Sequence, residues 1–217
     1  MIRNAFFSVL ALSVSLSFGA GAYGASHEEH GEHRHEAAKT QNRLDEETNV
    51  RVDLADVELV DQDGRKVRFA SDVVRGRVVV IDLIYTTCPL VCPILSAIFS
   101  RLQEQLGDRL GSEVHLVSVT VDPNTDIPPR LKEYAARFDA RPGWTFLTGE
   151  RQNVAQVLKG LGGYTADLTN HPAMILVGDG GKEGWTRLYG FPSPEQILEK
   201  VNEISAAGRS MRSHPAK

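Results

Sequence analysis

Cysteine is almost missing from this chain: among 217 residues there are two, Cys88 and Cys92. Two thiols cannot form the framework of a disulfide-stapled scaffold. With no second Cys or His pair nearby, they cannot complete a structural zinc site either. A basic surplus is missing as well. Lys and Arg number 24 against 28 Asp and Glu, a net charge of -4. With no basic stripe to offset that balance, nucleic acid is excluded as the main partner, because phosphate recognition needs a basic surface. No apolar run reaches the ~20 residues that span a bilayer, and no segment repeats, which excludes a solenoid or propeller. What remains is 41% apolar and 24% charged residues, the mix of an ordinary globular protein, in a chain long enough for one well-cored domain with extensions.

The extensions come first. Arg3 precedes an apolar stretch over residues 5–18 broken only by serines, and mostly small residues follow at 19–25. This is the layout of an export signal over residues 1–24, with small-x-small cleavage positions after Ala22 or Gly24. Uncleaved, the same stretch would be a membrane tether. The expected location is therefore the periplasm, with tethering to the inner membrane as the alternative. No cysteine follows the apolar run closely, which leaves no site for a lipid on a processed N-terminal cysteine. Residues 25–49 are polar and charged and read as a flexible tail. Inside it stand His27, His30, His33 and His35. Imidazoles this close can capture cupric copper, nickel or zinc; the alternative is a solvated linker with accidental histidines. Residues 207–217 form a second polar tail.

The folded domain is expected over residues 50–206. Val57-Glu58-Leu59-Val60 alternates, Asp61-Gln62-Asp63-Gly64 is a turn and Lys66-Val67-Arg68-Phe69 alternates again, a β-hairpin pattern. Residues 77–85 form a β-branched run suited to a buried central strand. Residues 93–106 carry Ile94, Leu95, Ile98, Leu102 and Leu106 at helical spacing, closed by Gly107. A second buried strand is expected at 114–121. Asp126 is placed to cap a helix opened by Pro128 and Pro129 and running to about Phe138. A short strand at 144–147, a helix at 152–161 ended by Gly162 and Gly163, strands at 173–177 and 185–189 and a helix at 194–206 complete the pattern. Strands alternating with helices, then a closing hairpin and helix, indicate an α/β sandwich around a mixed sheet.

Chemistry concentrates at Cys88-Pro89-Leu90-Val91-Cys92-Pro93, where a central strand gives way to a helix. Four-residue spacing brings both sulfurs to one side of a helical turn, and a helix N-terminus favours the thiolate. A thiolate is both the attacking group in disulfide exchange and a soft ligand for cuprous copper. In an exported protein the plain alternative is a structural disulfide, but so short a loop would staple little. Three residues separate the cysteines, where thioredoxin-type oxidoreductases have two. A peroxiredoxin-like activity would want threonine where Tyr85 stands. In a thioredoxin-like fold, the loop before strand 173–177 faces the cysteine turn. His171 in that loop could complete a site of two sulfurs and one nitrogen. Asp122 and Asp126, at a strand end on the same side of the sheet, either orient the site or a partner, or serve only a turn and a helix cap. His115 and His214 are given no role.

These stretches resemble the Sco/SenC family of thioredoxin-like copper chaperones. The resemblance is carried by Val60-Asp-Gln-Asp-Gly64, Ile84-Tyr-Thr-Thr-Cys88-Pro-Leu-Val-Cys92-Pro93, Val119-Thr-Val-Asp122-Pro-Asn-Thr-Asp126, Leu147-Thr-Gly149 and Asn170-His171, in the family's order over nearly the whole domain. It implies a thioredoxin-like three-layer α/β sandwich with a central mixed sheet and an N-terminal β-hairpin. It implies one copper ion, Cu(I) or Cu(II), bound by Cys88, Cys92 and His171. It also implies a role in building the dinuclear copper A centre of cytochrome c oxidase subunit II, or delivery to another copper-accepting or thiol-containing exported protein. Pro172, where the family often has a small hydroxyl residue, is expected to sit on a cis peptide bond as in thioredoxins. The leading expectation is a non-enzymatic copper metallochaperone. The alternative is a thiol-disulfide oxidoreductase, with Cys88 and Cys92 as its redox-active pair, that keeps the oxidase's copper-binding cysteines reduced. A third is a copper sensor or buffer working through the His27–His35 tail.

Overall fold

The computed structural model describes residues 45–213. The signal at 1–24, the tail histidines His27, His30, His33 and His35, and His214 lie outside the described residues. In chain order the strands are β1 (Glu46–Val50), β2 (Glu58–Asp61), β3 (Lys66–Arg68), β4 (Val78–Ile84), β5 (Val114–Thr120), β6 (Trp144–Thr148), β7 (Met174–Asp179) and β8 (Trp185–Tyr189). The helices are α1 (Val91–Leu106), α2 (Pro128–Arg137), α3 (Arg151–Leu161) and α4 (Pro194–Ser213). The strands form one eight-stranded sheet in the order β1-β8-β7-β4-β5-β6-β2-β3. β4 pairs parallel with β5, and β5 with β6, while β7, β8, β1, β2 and β3 join antiparallel. The sheet is mixed, as the strand and helix alternation requires.

β4 is the axis of the domain. All seven of its residues are buried, because β-branched side chains fit a pleated surface covered on both faces. Alternation splits them between two cores. Val78, Val80 and Ile84 pack with Leu95, Phe99 and Leu102 of α1, Tyr134 of α2 and Ile197 and Val201 of α4. Val79, Ile81 and Leu83 pack with Val154, Val157 and Leu161 of α3 and with Trp185. Helices on both faces of a sheet make three layers, the sandwich expected. Fully buried Phe99 and Leu95 are anchors whose truncation to Ala would cost roughly 2–5 kcal/mol each.

Three expectations are corrected. β1 begins at Glu46, so residues 46–49 are strand rather than tail. Glu46 and Glu47 look solvated in sequence, but Lys200 meets Glu46 at 3.1 Å and Arg187 meets Glu47 at 2.8 Å. A register shift between Glu47 and Val50, with Asn49 at φ 57, removes the alternation that would mark a strand. The expected hairpin forms from β2 and β3; β1 precedes it and sits at the opposite edge of the sheet. The last helix runs to Ser213, past the expected end at 206. The bond before Pro172 is trans, since no cis peptide bond occurs among the described residues; trans is the default for X–Pro by ~0.5–1 kcal/mol. α3 does end as read: Gly162 adopts φ 75 and its N–H closes onto the Lys159 carbonyl at 3.1 Å.

Candidate metal centre

The cysteine turn lies where β4 ends. Its last turn is closed by the Cys88 N–H donating to the Tyr85 carbonyl at 3.1 Å. α1 then begins at Val91, two residues earlier than the apolar spacing suggests, so Cys92 sits in its first turn. The early start is permitted because Pro93 still falls within the first four residues, whose N–H groups have no intrahelical partner. It also aims the free Cys92 N–H at the Cys88 sulfur, 3.2 Å away. Both thiols are free and buried, Cys92 completely and Cys88 to 8% exposure.

His171 reaches the turn from 79 residues away. Its Nε2 lies 3.9 Å from the Cys92 sulfur, and its ring meets the Tyr85 ring edge-on with centroids 5.4 Å apart. The short helical turn Leu168–Asn170 before β7 delivers it there. Among the described residues no three His, Cys, Asp or Glu side chains are preassembled as a coordination set. The three predicted ligands are nevertheless neighbours in sequence or space: Cys88 bonds the amide of Cys92, and Cys92 faces His171.

The two thiols differ electrostatically. Burial opposes ionisation of Cys88, but hydrogen bonds from the Cys92 thiol, the Cys92 and Leu90 amides and the Tyr85 hydroxyl outweigh it and acidify this thiol below the ordinary cysteine value. Cys92 is pushed the other way, by burial first, then by its bond to Cys88 and the nearby negative charges of Cys88 and Asp82. Cys88 is therefore the more acidic of the two thiols.

Asp126 was expected to cap α2 and does not. The residue preceding that helix is Ile127, which offers no side-chain cap. The Asp126 carboxylate is instead fully buried and turned towards the cysteine turn. It accepts the Thr86 hydroxyl at 2.6 Å, the Thr86 N–H at 3.1 and 3.2 Å and the Thr120 hydroxyl at 2.5 Å. It thereby ties the end of β5 to the residue two before Cys88. Asp122 contributes through its main chain, its carbonyl accepting the N–H groups of Thr125 and Asp126 and its N–H bonding Thr120 Oγ1. His115 bonds the Gly111 carbonyl at 2.9 Å, away from the centre.

Reading the sequence missed Thr86, Thr120 and Asp82. Asp82 lies inside β4 on the face of Val80 and Ile84, fully buried with neither carboxylate oxygen partnered. Burial raises its carboxyl to about 7, only partly offset by the neighbouring Ser118 hydroxyl, which itself accepts from Trp144 Nε1 at 3.0 Å. A single Asp in the run Val78-Val-Val-Ile-Asp82-Leu-Ile84 was the available signal, since a carboxylate rarely enters an apolar strand without a role. Thr86 and Thr120 gave none, because hydroxyl residues at strand ends are common.

The family model described as SCO1/SenC matches residues 46–206. The SCO1 protein homolog of Bacillus subtilis is 36% identical over 93 residues, 42% of this chain and 47% of that protein. The chain spans about half the length of the curated relatives it matches. Among solved structures, ScoI of Bradyrhizobium japonicum with copper bound superposes with a TM-score of 0.57 at 26% identity, covering 68% of this chain and 96% of that one. A SCO1/SenC family lipoprotein of Bacillus anthracis gives a TM-score of 0.62 at 23% identity, covering 72% and 96%, a likeness of fold.

Proposed function

This chain belongs to the SCO1/SenC family, and on that premise we propose that it is a copper metallochaperone, carrying one ion on Cys88, Cys92 and His171 to an exported acceptor. The observation that carries this reading is the 3.9 Å approach of Cys92 Sγ to His171 Nε2. Sulfur and imidazole bonds to a first-row ion of zinc's size are about 2.3 and about 2.1 Å long, so one shared ion bridges that gap. Two sulfurs and one nitrogen suit the cuprous ion, and a set of three leaves a position open for an incoming ligand. Copper-bound ScoI is a relative at 26% identity, which supports copper as the cargo.

The residues divide the work. Cys88, already acidified, offers the first sulfur. Cys92 must surrender its proton as it ligates, so uptake releases a proton and weakens as pH falls. The edge of Tyr85 fixes the plane of the His171 ring, and Asp126 holds the turn through Thr86. The acceptor we assign is cytochrome c oxidase subunit II, at its dinuclear copper A centre, with the periplasm as the place of transfer. Copper titration of the reduced chain tests the ligand set. His171→Ala should weaken binding at least 10-fold and alter the spectrum of the loaded protein, and an unchanged affinity would rule out the imidazole.

The unequal thiols favour a second reading, a thiol-disulfide oxidoreductase. The Cys88 thiolate would attack a partner disulfide, and Cys92 would then displace the second partner thiol, oxidising the pair and reducing the partner by two electrons. That activity needs no His171. Full complementation of an oxidase-deficient strain by His171→Ala would favour it over copper transfer.

A further inference from the structure

Tyr85, the residue that follows β4, meets all three proposed ligands. Its carbonyl accepts the Cys88 N–H at 3.1 Å, and its ring stands edge-on to that of His171 with centroids 5.4 Å apart. Its main-chain N–H donates to the Cys92 sulfur and its hydroxyl to the Cys88 sulfur.

The Cys88 sulfur is thus surrounded by donors. The Cys92 amide lies 3.2 Å away, and the Leu90 amide, the Cys92 thiol and the Tyr85 hydroxyl bond it as well. These donors differ in what becomes of them once a metal is held. The Cys92 thiol gives up its proton on ligation and ceases to donate. The two amides belong to the main chain, so side-chain identity does not set them. The Tyr85 hydroxyl is the side-chain donor left. A phenol is protonated at neutral pH. Burial first, then the bond to Cys88 and the negative charges of Cys88, Cys92 and Asp167, oppose its ionisation further.

We propose that Tyr85 selects the oxidation state of the cargo: its hydroxyl, by donating to the Cys88 sulfur, tilts the centre towards the cuprous ion. The inference rests on the copper reading above and adds which ion the site prefers. A hydrogen bond drains electron density from a thiolate. The cupric ion, with the higher charge, draws more on that density, so the bond weakens the cupric complex more and raises the potential of the couple. Two carboxylates pull the other way: the charges of Asp167 at Tyr85 and of Asp82 at Cys92 favour the ion of higher charge. Tyr85 opposes them from within the site, and does so without a buried charge of its own.

The test measures cuprous and cupric affinities of the full, reduced chain by competition with chelators under argon, with thiol counting to show that both sulfurs stay reduced. Tyr85→Phe keeps the ring against His171 and removes only the donor. It should move the ratio of the two affinities about 10-fold towards the cupric ion, a fall in potential of about 59 mV. The sulfur-to-copper charge-transfer band of the cupric form should shift to lower energy. Tyr85→Leu, which also removes the ring, should move the ratio in the same direction and lower both affinities as well. A Tyr85→Phe ratio within about 2-fold of wild type, or one moved towards the cuprous ion, would overturn the inference and leave the copper reading intact. Loss of both affinities by one common factor does the same, because that is the mark of a purely structural role. A wild-type chain that binds neither ion would sink the copper reading itself.

Discussion

Two carboxylate-bearing regions of this domain are held by opposite means. At the β1 edge, Glu46 and Glu47 pair with Lys200 and Arg187 at partly exposed positions. At the cysteine turn, Asp126 is sealed from water and saturated by hydroxyl and amide donors. Water competes for every contact of the first kind, so such pairs contribute about 0–1 kcal/mol each. For the second kind, no water can replace a lost partner, and the stranded donors carry the full desolvation cost. An edge strand tolerates a loose attachment. A turn that must keep two sulfurs and an imidazole in reach of one another does not.

The sharpest way to break this contrast is Asp126→Ala, which strands the Thr86 and Thr120 hydroxyls and the Thr86 amide. We expect a loss of about 3 kcal/mol in urea unfolding, and a loss within 0.5 kcal/mol would mean the turn does not depend on the carboxylate. Next comes Asp82, which is buried like Asp126 but lacks partners. Its carboxyl is raised to about 7 in the folded chain from 3.8, so the neutral form is the one that folding favours. Stability is therefore complete below about pH 4 and is lost as pH rises through 7. Asp82→Asn should remove that decline and be more stable than wild type at pH 8 by about 2 kcal/mol. Parallel pH profiles for the two chains would refute it.

The thiols give the third comparison. Iodoacetamide at pH 7 should modify Cys88 about 10-fold faster than Cys92, equivalent to about 1.4 kcal/mol in barrier, with mass spectrometry reading the order. The lowered Cys88 value keeps its rate up at pH values where an ordinary thiol has become unreactive. Equal rates would remove the division of labour between the sulfurs. The smallest effect belongs to the β1 edge: Glu47→Ala should cost about 0.5 kcal/mol, and a loss approaching that of Asp126→Ala would erase the contrast.

Much of the fold was legible in the chain. β4 announced itself by its apolar run, the hairpin by Asp61-Gln62-Asp63-Gly64, and α3 by its glycine end, because each depends on neighbours within a few residues. The cysteine pair was legible for the same reason. Only the helix-cap reading of Asp126 fails: its local setting, just before two prolines, is that of a cap, while its partner Thr86 lies 40 residues away. β1 was misread because its charges are matched only by Arg187 and Lys200.

Taken alone, the amino-acid sequence determined where most strands and helices run, that two thiols stand at a strand-to-helix junction, and that a histidine stands in the loop before β7. Those are consequences of periodicity, turn chemistry and spacing, which act over a handful of residues. Only the tertiary structure decided that Cys88 is acidified and Cys92 is not, that Asp126 secures the turn, and that His171 comes within 3.9 Å of the Cys92 sulfur. Asp126 reaches Thr86 across 40 residues and His171 reaches Cys92 across 79, and burial is a property that no stretch of chain possesses until the sheet has closed over it.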